Sequence, residues 1–383
     1  MTTVATYFDN NGTTLLDPRV LEAMLPYLSQ QYGNATSRHI YGRSARHAIE
    51  HAREQIGDAV GAHPSQVVMT GSGTESNNLA ITGVAAMNEG RAIAISAIEH
   101  PCVTRPAMAL QKRGSIINTI GVDADGKIDD ASLLHCLQMD TSLVSVMLAN
   151  NETGVIQDIA NIAEAARIHH AFMHTDAVQA LGKIKVDFSD LNVHAMTLSS
   201  HKIYGPQGAG ALILDKRLDI QPLLLGGGQE KGLRSGTENV AAIVGFGIAC
   251  ELISRELLQH TVAIRQMRDY LEQGLKQLGA IIFGNKVDRL PNTSFFAIPG
   301  IEGETMVMAL DRKGFAVASG SACSSDSTEP SHVLLAMGID KDLARGAIRV
   351  SLSSNNTLEE IKTFLVALQG ELNRLKQLTA MAI

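Results

Sequence analysis

The sequence predicts an α/β protein with a large domain built on a mainly parallel, seven-stranded sheet and a smaller α/β domain. From residue 67 onward, short apolar runs alternate with helical patterns, the order typical of a doubly wound sheet. A glycine triplet at 226–228 interrupts the alternation, and a second α/β segment follows it. The chain of 383 residues also exceeds the size of about 250–300 residues at which single cores stop growing. We therefore expect a large domain over 15–258 and a small domain formed by 1–14 and 259–383.

The individual elements follow from local signals along the chain. Residues 1–14 are rich in turn formers and predict an extended opening segment, and Asp17 with Pro18 predicts the first helix start. Residues 43–60 carry the apolar face of a second helix. A further helix is expected after Asp158, and a long helical region over about 238–280. The strand candidates are 67–70, 92–96, 116–120, 144–149, 172–175, 195–198 and 211–214.

The composition excludes several classes of protein. A net charge of −7 and a pI near 6.0 argue against the basic face that nucleic-acid binding requires. The opening residues do not resemble a signal peptide, and no apolar run approaches the roughly 20 residues that span a bilayer. We therefore expect a cytoplasmic protein. The four cysteines, at 102, 136, 250 and 323, form no CxxC pair, which argues against a disulfide framework or a zinc ribbon.

Two strand ends carry most of the polar residues that suggest chemistry. The first reads HTDAVQ at 174–179 and the second SSHKIYGP at 199–206, each after a short apolar run. Ligands of open parallel sheets bind beyond the carboxyl ends of the strands, so Asp176, Gln179, Ser199, His201 and Lys202 are expected to share one crevice. A lysine, a buried acid and small donors suit pyridoxal phosphate. The alternative, for each residue taken singly, is a surface lysine or a helix-capping aspartate.

A glycine-rich turn, TGSGTESNN at 70–78, lies between a predicted strand and a predicted helix. Backbone amides at Gly73 and the hydroxyl of Thr74 could hold an anion at the positive end of that helix. The turn is not the GxGxxG fingerprint of dinucleotide sites, and such turns are common. Only beside Ser199 and His201 does it suggest a phosphate cup.

Several histidines could have either a functional or a structural role. His100 follows the strand at 92–96, where it could stack on a flat ring and move protons, although a lone histidine is as often structural. His169, His170 and His174 could suggest a metal site. No cysteine or carboxylate completes that group at a familiar spacing except Asp176, so we expect no metal.

The stretch at 318–332 surrounds Cys323 with small and polar residues. Such a loop offers little packing for a thiol, so the sequence predicts a reactive cysteine rather than an accidental surface one. Further on, Arg349 stands alone in the apolar strand AIRVSL at 347–352. It is either a bidentate clamp for a carboxylate or an edge residue whose charged end reaches solvent.

Together these motifs resemble the NifS/IscS-type cysteine desulfurases, which are fold-type I pyridoxal phosphate enzymes of the class V aminotransferase family. The resemblance runs nearly from end to end of the chain. The matching segments are YFDNNGTT at the start, TGSGTESNN at 70–78, EHP at 99–101, NNETGVIQDI at 150–159, HTDAVQALGK at 174–183, SSHKIYGPQGAGAL at 199–212, RSGTENV at 234–240, SGSACSS at 319–325 and PSHVLLAMG at 330–338.

The resemblance implies a role for each matching residue. Catalytic roles fall to Lys202 as the cofactor's Schiff-base lysine, to His100 as a ring-stacking proton carrier, and to Cys323 as the sulfur acceptor. Substrate would be bound by Asn151 and Arg349, the arginine through its carboxylate. The residues implied in cofactor binding are Gly73, Thr74, His100, Asn151, Asp176, Gln179, Ser199, His201, Lys202 and, from the second subunit of a homodimer, Thr237.

The implied reaction converts L-cysteine to L-alanine and leaves a persulfide on Cys323, for delivery to a sulfur acceptor such as an iron–sulfur scaffold protein. The polar loop at 319–330 would allow that persulfide to extend to an acceptor outside the site. Cys102 departs from the alanine common in the family, and we expect it to lie outside the chemistry. The chain ends at Ile383 without the longer tail of housekeeping members, which favours the NifS branch. The alternatives are a selenocysteine lyase, an aminotransferase on the same fold, or a non-catalytic sulfur carrier.

Overall fold

The computed structural model describes residues 5–320 and 329–381 of the chain. Its helices are α1 Pro18–Ser29, α2 Ile40–Ala59, α3 Gly73–Met87, α4 Pro101–Gln111, α5 Asp130–Leu137, α6 Ile159–Ile168, α7 Phe188–Leu191, α8 Val240–Gln277, α9 Gly303–Asp311, α10 His332–Ala336, α11 Lys341–Arg345 and α12 Leu358–Met381. Its strands are β1 Thr6–Tyr7, β2 Val67–Thr70, β3 Ala92–Ser96, β4 Ile117–Ile120, β5 Thr141–Ser145, β6 Phe172–Asp176, β7 Ala195–Ser199, β8 Gly210–Leu214, β9 Ile281–Ile282, β10 Thr293–Ala297, β11 Phe315–Ala316, β12 Ala318–Ser319 and β13 Ala347–Ser351.

The main sheet has seven strands in the order β2-β8-β7-β6-β5-β3-β4. Strands β3 to β7 run parallel to one another. Strand β8 pairs antiparallel with both β2 and β7. Nearly all of its strand residues are buried, as expected for a parallel sheet covered by helices on both faces. The predicted fold class, a mainly parallel seven-stranded sheet, is therefore confirmed.

One predicted strand was displaced. The sequence predicted a strand at 144–149, but β5 spans Thr141–Ser145. The start of the strand was not predicted because Thr141 and Ser142 are polar residues, and the prediction relied on an apolar run. Both are buried, and their hydroxyls donate to the carbonyls of Cys136 and Ala92. Residues 146–149 lie beyond the strand, where the amides of Val146 and Leu148 still donate to carbonyls at the end of β6. This extension carries the chain into the site region.

A second, antiparallel sheet is formed by β12-β13-β10-β9, and the two-residue strand β1 pairs with β11. Phe8, beside β1, is fully buried in a core that otherwise consists of residues between 264 and 372. The opening segment thus packs with the C-terminal part of the chain. The division into a large domain at 15–258 and a small domain formed by 1–14 and 259–383 stays a prediction.

The helix α8 confirms the predicted long helical region and connects the two cores. Its 38 residues begin after the cap Asn239, whose side chain accepts from the amide of Ala242. Early residues such as Phe246 pack in the core of the main sheet, and later ones such as Leu271 pack in the second core. None of the helices among the described residues is long and apolar enough to cross a membrane.

Candidate active site

The strand ends of the main sheet converge on one cavity of about 220 Å³. β6 ends at Asp176 and β7 ends at Ser199, so the residues that follow both strands meet at the same edge of the sheet. The cavity is lined by Ser72, Gly73, Thr74, Asn77, His100, Cys102, Met147, Asn151, Asp176, Val178, Gln179, Ser199, His201 and Lys202.

Asp176 is a buried acid held in a fixed orientation. Its Oδ2 accepts from Asn77 Nδ2 at 2.6 Å, and its Oδ1 accepts from the amide of Val178 at 2.9 Å. Burial raises the pKa of Asp176, and the two hydrogen bonds and the charge of Lys202 oppose that rise. A cationic ring nitrogen beside this carboxyl would supply the positive partner that favours its ionised form.

Lys202 reaches the cavity from a short 3₁₀ turn, Ser200–Lys202, that directly follows β7. Its Nζ donates to the backbone carbonyls of Asn11 and Gly12, in the opening segment of the chain. A second hydrogen bond joins the opening segment to this turn, because the hydroxyl of Thr14 donates to the carbonyl of His201 at 3.0 Å. The lysine is thus positioned by two parts of the chain that lie far apart in sequence.

His100 caps the start of α4 and faces the thiol of Cys102 within the cavity. Its Nδ1 accepts from the amide of Cys102 at 3.2 Å and lies 2.9 Å from Cys102 Sγ. Burial, together with the nearby charges of Lys202, His332, Arg105 and Arg349, lowers the pKa of His100 to about 4. The imidazole is therefore neutral at pH 7 and able to accept a proton.

A cradle for an anion lies where α3 begins, beside the end of β7. Ser72 caps α3 by accepting from the amide of Glu75, and Thr74 lies in the first turn. A Cβ at Gly73 would lie only 3.0 Å from Val178 Cγ2 and 3.2 Å from Ser199 Cβ, so a side chain there would fill the cradle. Ser199 Oγ is buried and has no hydrogen-bond partner among the described residues. An orphaned hydroxyl beside a helix start suits a phosphate group.

The opposite side of the cavity is built around Arg349 of β13. The guanidinium Nη1 donates to the carbonyl of Asn151 at 2.9 Å, and Nη2 forms an ion pair with Asp9 Oδ1 at 2.7 Å. Arg349 Nε is buried and lacks a hydrogen-bond partner among the described residues. Its two terminal nitrogens are therefore already engaged, and Nε is the nitrogen without a partner among the described residues.

Most of the predicted site residues that the structure describes come together, and Thr237 does not. Arg349 adjoins the cavity through Asn151, whereas Thr237 is exposed and does not line it. Cys323 and most of the loop at 319–330 lie outside the described residues. The predicted residues that line the cavity are Gly73, Thr74, His100, Asn151, Asp176, Gln179, Ser199, His201 and Lys202.

Sequence reasoning missed four contributors to the site. Asn77 holds Asp176, and Asn11 offers its carbonyl to Lys202. Ser72 and Cys102 line the cavity as well, and that Cys102 takes no part in the chemistry stays a prediction. The signal for Asn77 was present, since it lies one helical turn after Gly73 and shares its face of α3. The contact of Asn11 spans 191 positions in the sequence and has no local signal.

The histidines considered for a metal site are placed apart from any ligand group. His174 is buried within the sheet between the hydroxyls of Ser145 and Thr197, at 2.8 and 3.1 Å. Burial lowers the pKa of His174 to about 3. Over residues 5–320 and 329–381 there is no cluster of three or more histidine, cysteine or acidic side chains that could hold a metal ion.

The residues in the cavity fit pyridoxal phosphate as a set. They supply a lysine, a buried acid at a fixed position, an imidazole at the cavity wall and a hydroxyl-lined cradle with an orphaned serine oxygen. The sequence model for the family described as aminotransferase class-V matches residues 6–364. Over that range it includes every described residue that lines the cavity.

Similar proteins cover almost the whole chain. The cysteine desulfurase IscS 1 of Archaeoglobus fulgidus is 42% identical over 376 residues, which is 97% of this chain and 98% of the relative. A solved NifS-like protein superposes with a TM-score of 0.91 at 38% identity, covering 97% of this chain and 100% of that one. The structure of SspA in complex with cysteine has a TM-score of 0.81 at 33% identity, with 92% and 99% coverage.

Proposed function

The chain belongs to the class V aminotransferase family, and from this premise we propose that it is a pyridoxal phosphate-dependent cysteine desulfurase. The observation that carries the proposal is the convergence of Lys202, Asp176 and His100 on one cavity, with Arg349 beside it. Relatives at 41–42% identity are named cysteine desulfurases, and one similar structure contains cysteine. We infer that L-cysteine is the substrate and L-alanine the product.

Bound pyridoxal phosphate supplies an electron sink for the bond changes at the substrate's Cα and Cβ. Lys202 would bind it covalently, Asp176 would face its ring nitrogen, and Gln179 its phenolic oxygen. Its phosphate would lie in the cradle of Gly73, Thr74, Ser199 and His201. The family resemblance implies each assignment, and each of these residues lines the cavity.

His100 is suited to carry protons in this cavity. Its lowered pKa, about 4, keeps the imidazole neutral at physiological pH, so that it can accept a proton without first losing one. Glu99, the preceding residue, is fully buried, and burial raises the pKa of its carboxyl to about 8. Glu99 is thus mostly protonated at pH 7 and carries no charge beside His100.

Arg349 is proposed to orient the substrate through its carboxylate, with Asn151 beside it. The side chain is already fixed by Asp9 and by the carbonyl of Asn151, so little conformational entropy is lost when substrate binds. Its buried, unpartnered Nε has a donor left for a ligand. The orientation of the substrate thereby follows from contacts that exist before binding.

Cys323 is proposed as the group that takes the sulfur. Its thiolate would attack the substrate sulfur, forming a sulfur–sulfur bond while the substrate's carbon–sulfur bond breaks. The bonding electrons pass to the substrate carbon, which is then protonated to give alanine. The products balance, because one thiol and one cysteine give one persulfide and one alanine. The proposal for Cys323 rests on its sequence motif, SGSACSS.

We further propose a cytoplasmic homodimer that passes its sulfur to an acceptor protein for iron–sulfur cluster assembly. Thr237, implied to reach the neighbouring subunit's cofactor, is exposed in the single chain, which agrees with a role across an interface. Leu223, Leu224 and Leu225, in the segment that leads to it, are all exposed, and consecutive exposed apolar side chains favour coverage by another subunit. Sedimentation of the holoprotein would test the dimer.

The function is tested by intact-mass analysis after brief exposure of the purified protein to L-cysteine without reductant. We expect one added sulfur atom, mapped to Cys323, with alanine in the supernatant. The variant Cys323→Ala should keep the cofactor's visible absorbance and lose the added mass, whereas Cys136→Ala, at a buried position away from the cavity, should behave as the parent. Cofactor binding without added sulfur would instead indicate a lyase or an aminotransferase.

A further inference from the structure

Lys183 is a buried lysine for which the proposed chemistry has no use. It closes the turn that follows β6, four residues after Gln179, and only 9% of its surface is exposed. The charged groups that act most strongly on it, Lys202 and Arg349, are also cationic, and with burial they lower the pKa of Lys183 to about 7. Burying such an amino group costs free energy unless it is hydrogen-bonded.

Among the described residues, both hydrogen bonds of the Lys183 side chain go to one residue, Gln179. Its Nζ donates to the backbone carbonyl of Gln179 at 3.0 Å and to the side-chain Oε1 at 3.2 Å. On the other side, Gln179 Nε2 donates to the carbonyl of Asn11 at 3.0 Å. The amide of Gln179 is therefore held between a donor and an acceptor.

This arrangement defines which end of the amide faces which neighbour. If the amide turned over, Nε2 would meet the donor Lys183 and Oε1 would meet the carbonyl of Asn11, so both hydrogen bonds would be replaced by repulsions. An amide nitrogen carries two hydrogens, and only one is used by Asn11. The second is left for an acceptor in the cavity that Gln179 lines.

We propose that Lys183 is a positioning residue that locks the side-chain amide of Gln179, so that Gln179 presents an N–H to the phenolic oxygen of the cofactor. The inference rests on the proposed function, because it assumes that pyridoxal phosphate occupies the cavity. A neutral amine can still donate the two hydrogen bonds of Lys183, and the carbonyl of Asn11, which only accepts, favours the same orientation of the amide in either charge state. The turn supports the geometry, because Gly182 has a φ of +74°, a conformation that favours glycine.

A double-mutant cycle tests whether Lys183 orients the amide of Gln179. Lys183→Met removes the donors and keeps the length of the side chain, while Gln179→Ala removes the amide. Each is expected to weaken pyridoxal phosphate binding to the apoprotein by about tenfold, the effect of one hydrogen bond. Each should also shift the pH midpoint of the cofactor's visible absorbance in the same direction. The double variant should match Gln179→Ala, and the donor-retaining Lys183→Arg should bind within about threefold of the parent.

Gln179→Glu provides a second test that leaves Lys183 intact. It retains an oxygen toward Lys183 but replaces the amide nitrogen by an oxygen, and it should weaken cofactor binding at least as much as Gln179→Ala. Additive effects in the cycle, or unchanged binding by Gln179→Glu, would overturn the proposal. Those results are distinct from failure of the proposed function, in which the parent protein itself would bind no cofactor or release no alanine from cysteine.

Discussion

The two sides of the cavity are built in different ways. On the cofactor side, most groups follow directly from a strand or a helix start: Asp176 ends β6, Ser199 ends β7, and Gly73 begins the helix after β2, while Lys202 and Gln179 also contact the opening segment. On the substrate side, Arg349 is held by Asp9 and Asn151. These residues lie 340 and 198 positions before it in the sequence. The cofactor side therefore depends on the main sheet, and the substrate side on how the opening segment and the second sheet pack against it.

The largest expected effect comes from Lys202→Ala, at the centre of the cofactor side. Without the Nζ group the cofactor cannot be held covalently, so we expect complete loss of alanine formation and of the protein-bound visible absorbance. Absorbance spectra and an alanine assay check both. Lys216→Ala, at an exposed position beyond β8, is the matched control and should behave as the parent. Full activity without Lys202 would remove the basis for the cofactor side.

Arg349→Ala should separate the two sides. Removal of a buried guanidinium that receives a carboxylate is expected to lower kcat/KM for L-cysteine by at least about 100-fold. Cofactor affinity should stay within about threefold, because Arg349 contacts Asp9 and Asn151 rather than the cradle. Arg345→Ala, which loses only an exposed ion pair with Asp342, is the control. An equal loss of cofactor binding would show that the two sides are not independent.

Glu99 lies where the two sides meet, and it makes stability depend on pH. Its carboxyl accepts from Ser96 and from the amide of Met147, and its backbone carbonyl contacts His332 at 3.0 Å. Burial raises its pKa from 4.5 to about 8, so between these values the folded protein binds more protons than the unfolded chain. The contribution of Glu99 to the free energy of unfolding should therefore fall as pH rises through this window, whereas His100 and His174, whose pKa values burial lowers, contribute with the opposite sign below about pH 6.5.

Glu99→Gln should flatten that dependence, because the amide resembles the protonated acid. Thermal denaturation at a series of pH values between about 5 and 8 checks this, with the exposed Glu89→Gln as control. Parallel stability curves for Glu99→Gln and the parent would contradict the raised pKa.

Cys102→Ala should have the smallest effect. Cys102 Sγ lies 2.9 Å from His100 Nδ1 and 3.0 Å from Asn77 Nδ2, but the amide of Cys102 also donates to His100 and remains in the variant. Burial raises the pKa of this thiol, so it is unreactive in the folded protein. Steady-state kinetics should show a change of less than about threefold in kcat. A tenfold loss would place Cys102 in the catalytic machinery.

The contrast between the two sides also explains what the sequence could predict. Asp176, Lys202 and the cradle at Gly73 were found because each lies at the end of an apolar run or at a helix start, and such signals are local. Asn11 was missed because its carbonyl acts through the backbone, where the residue type gives no signal. The misplaced strand at 144–149 shows the same limit, since buried hydroxyls at Thr141 and Ser142 are satisfied by tertiary contacts.

The continuous helix α8 has a mechanical consequence. At about 1.5 Å per residue, its 38 residues form a strut of roughly 57 Å whose two halves belong to different cores. Either core can rotate against the other only if this strut bends. The stretch near Leu258, which is 82% exposed, has the least packing to resist bending. Melting of one core would also fray the end of the helix that the other core shares, so we expect the unfolding of the two cores to be coupled.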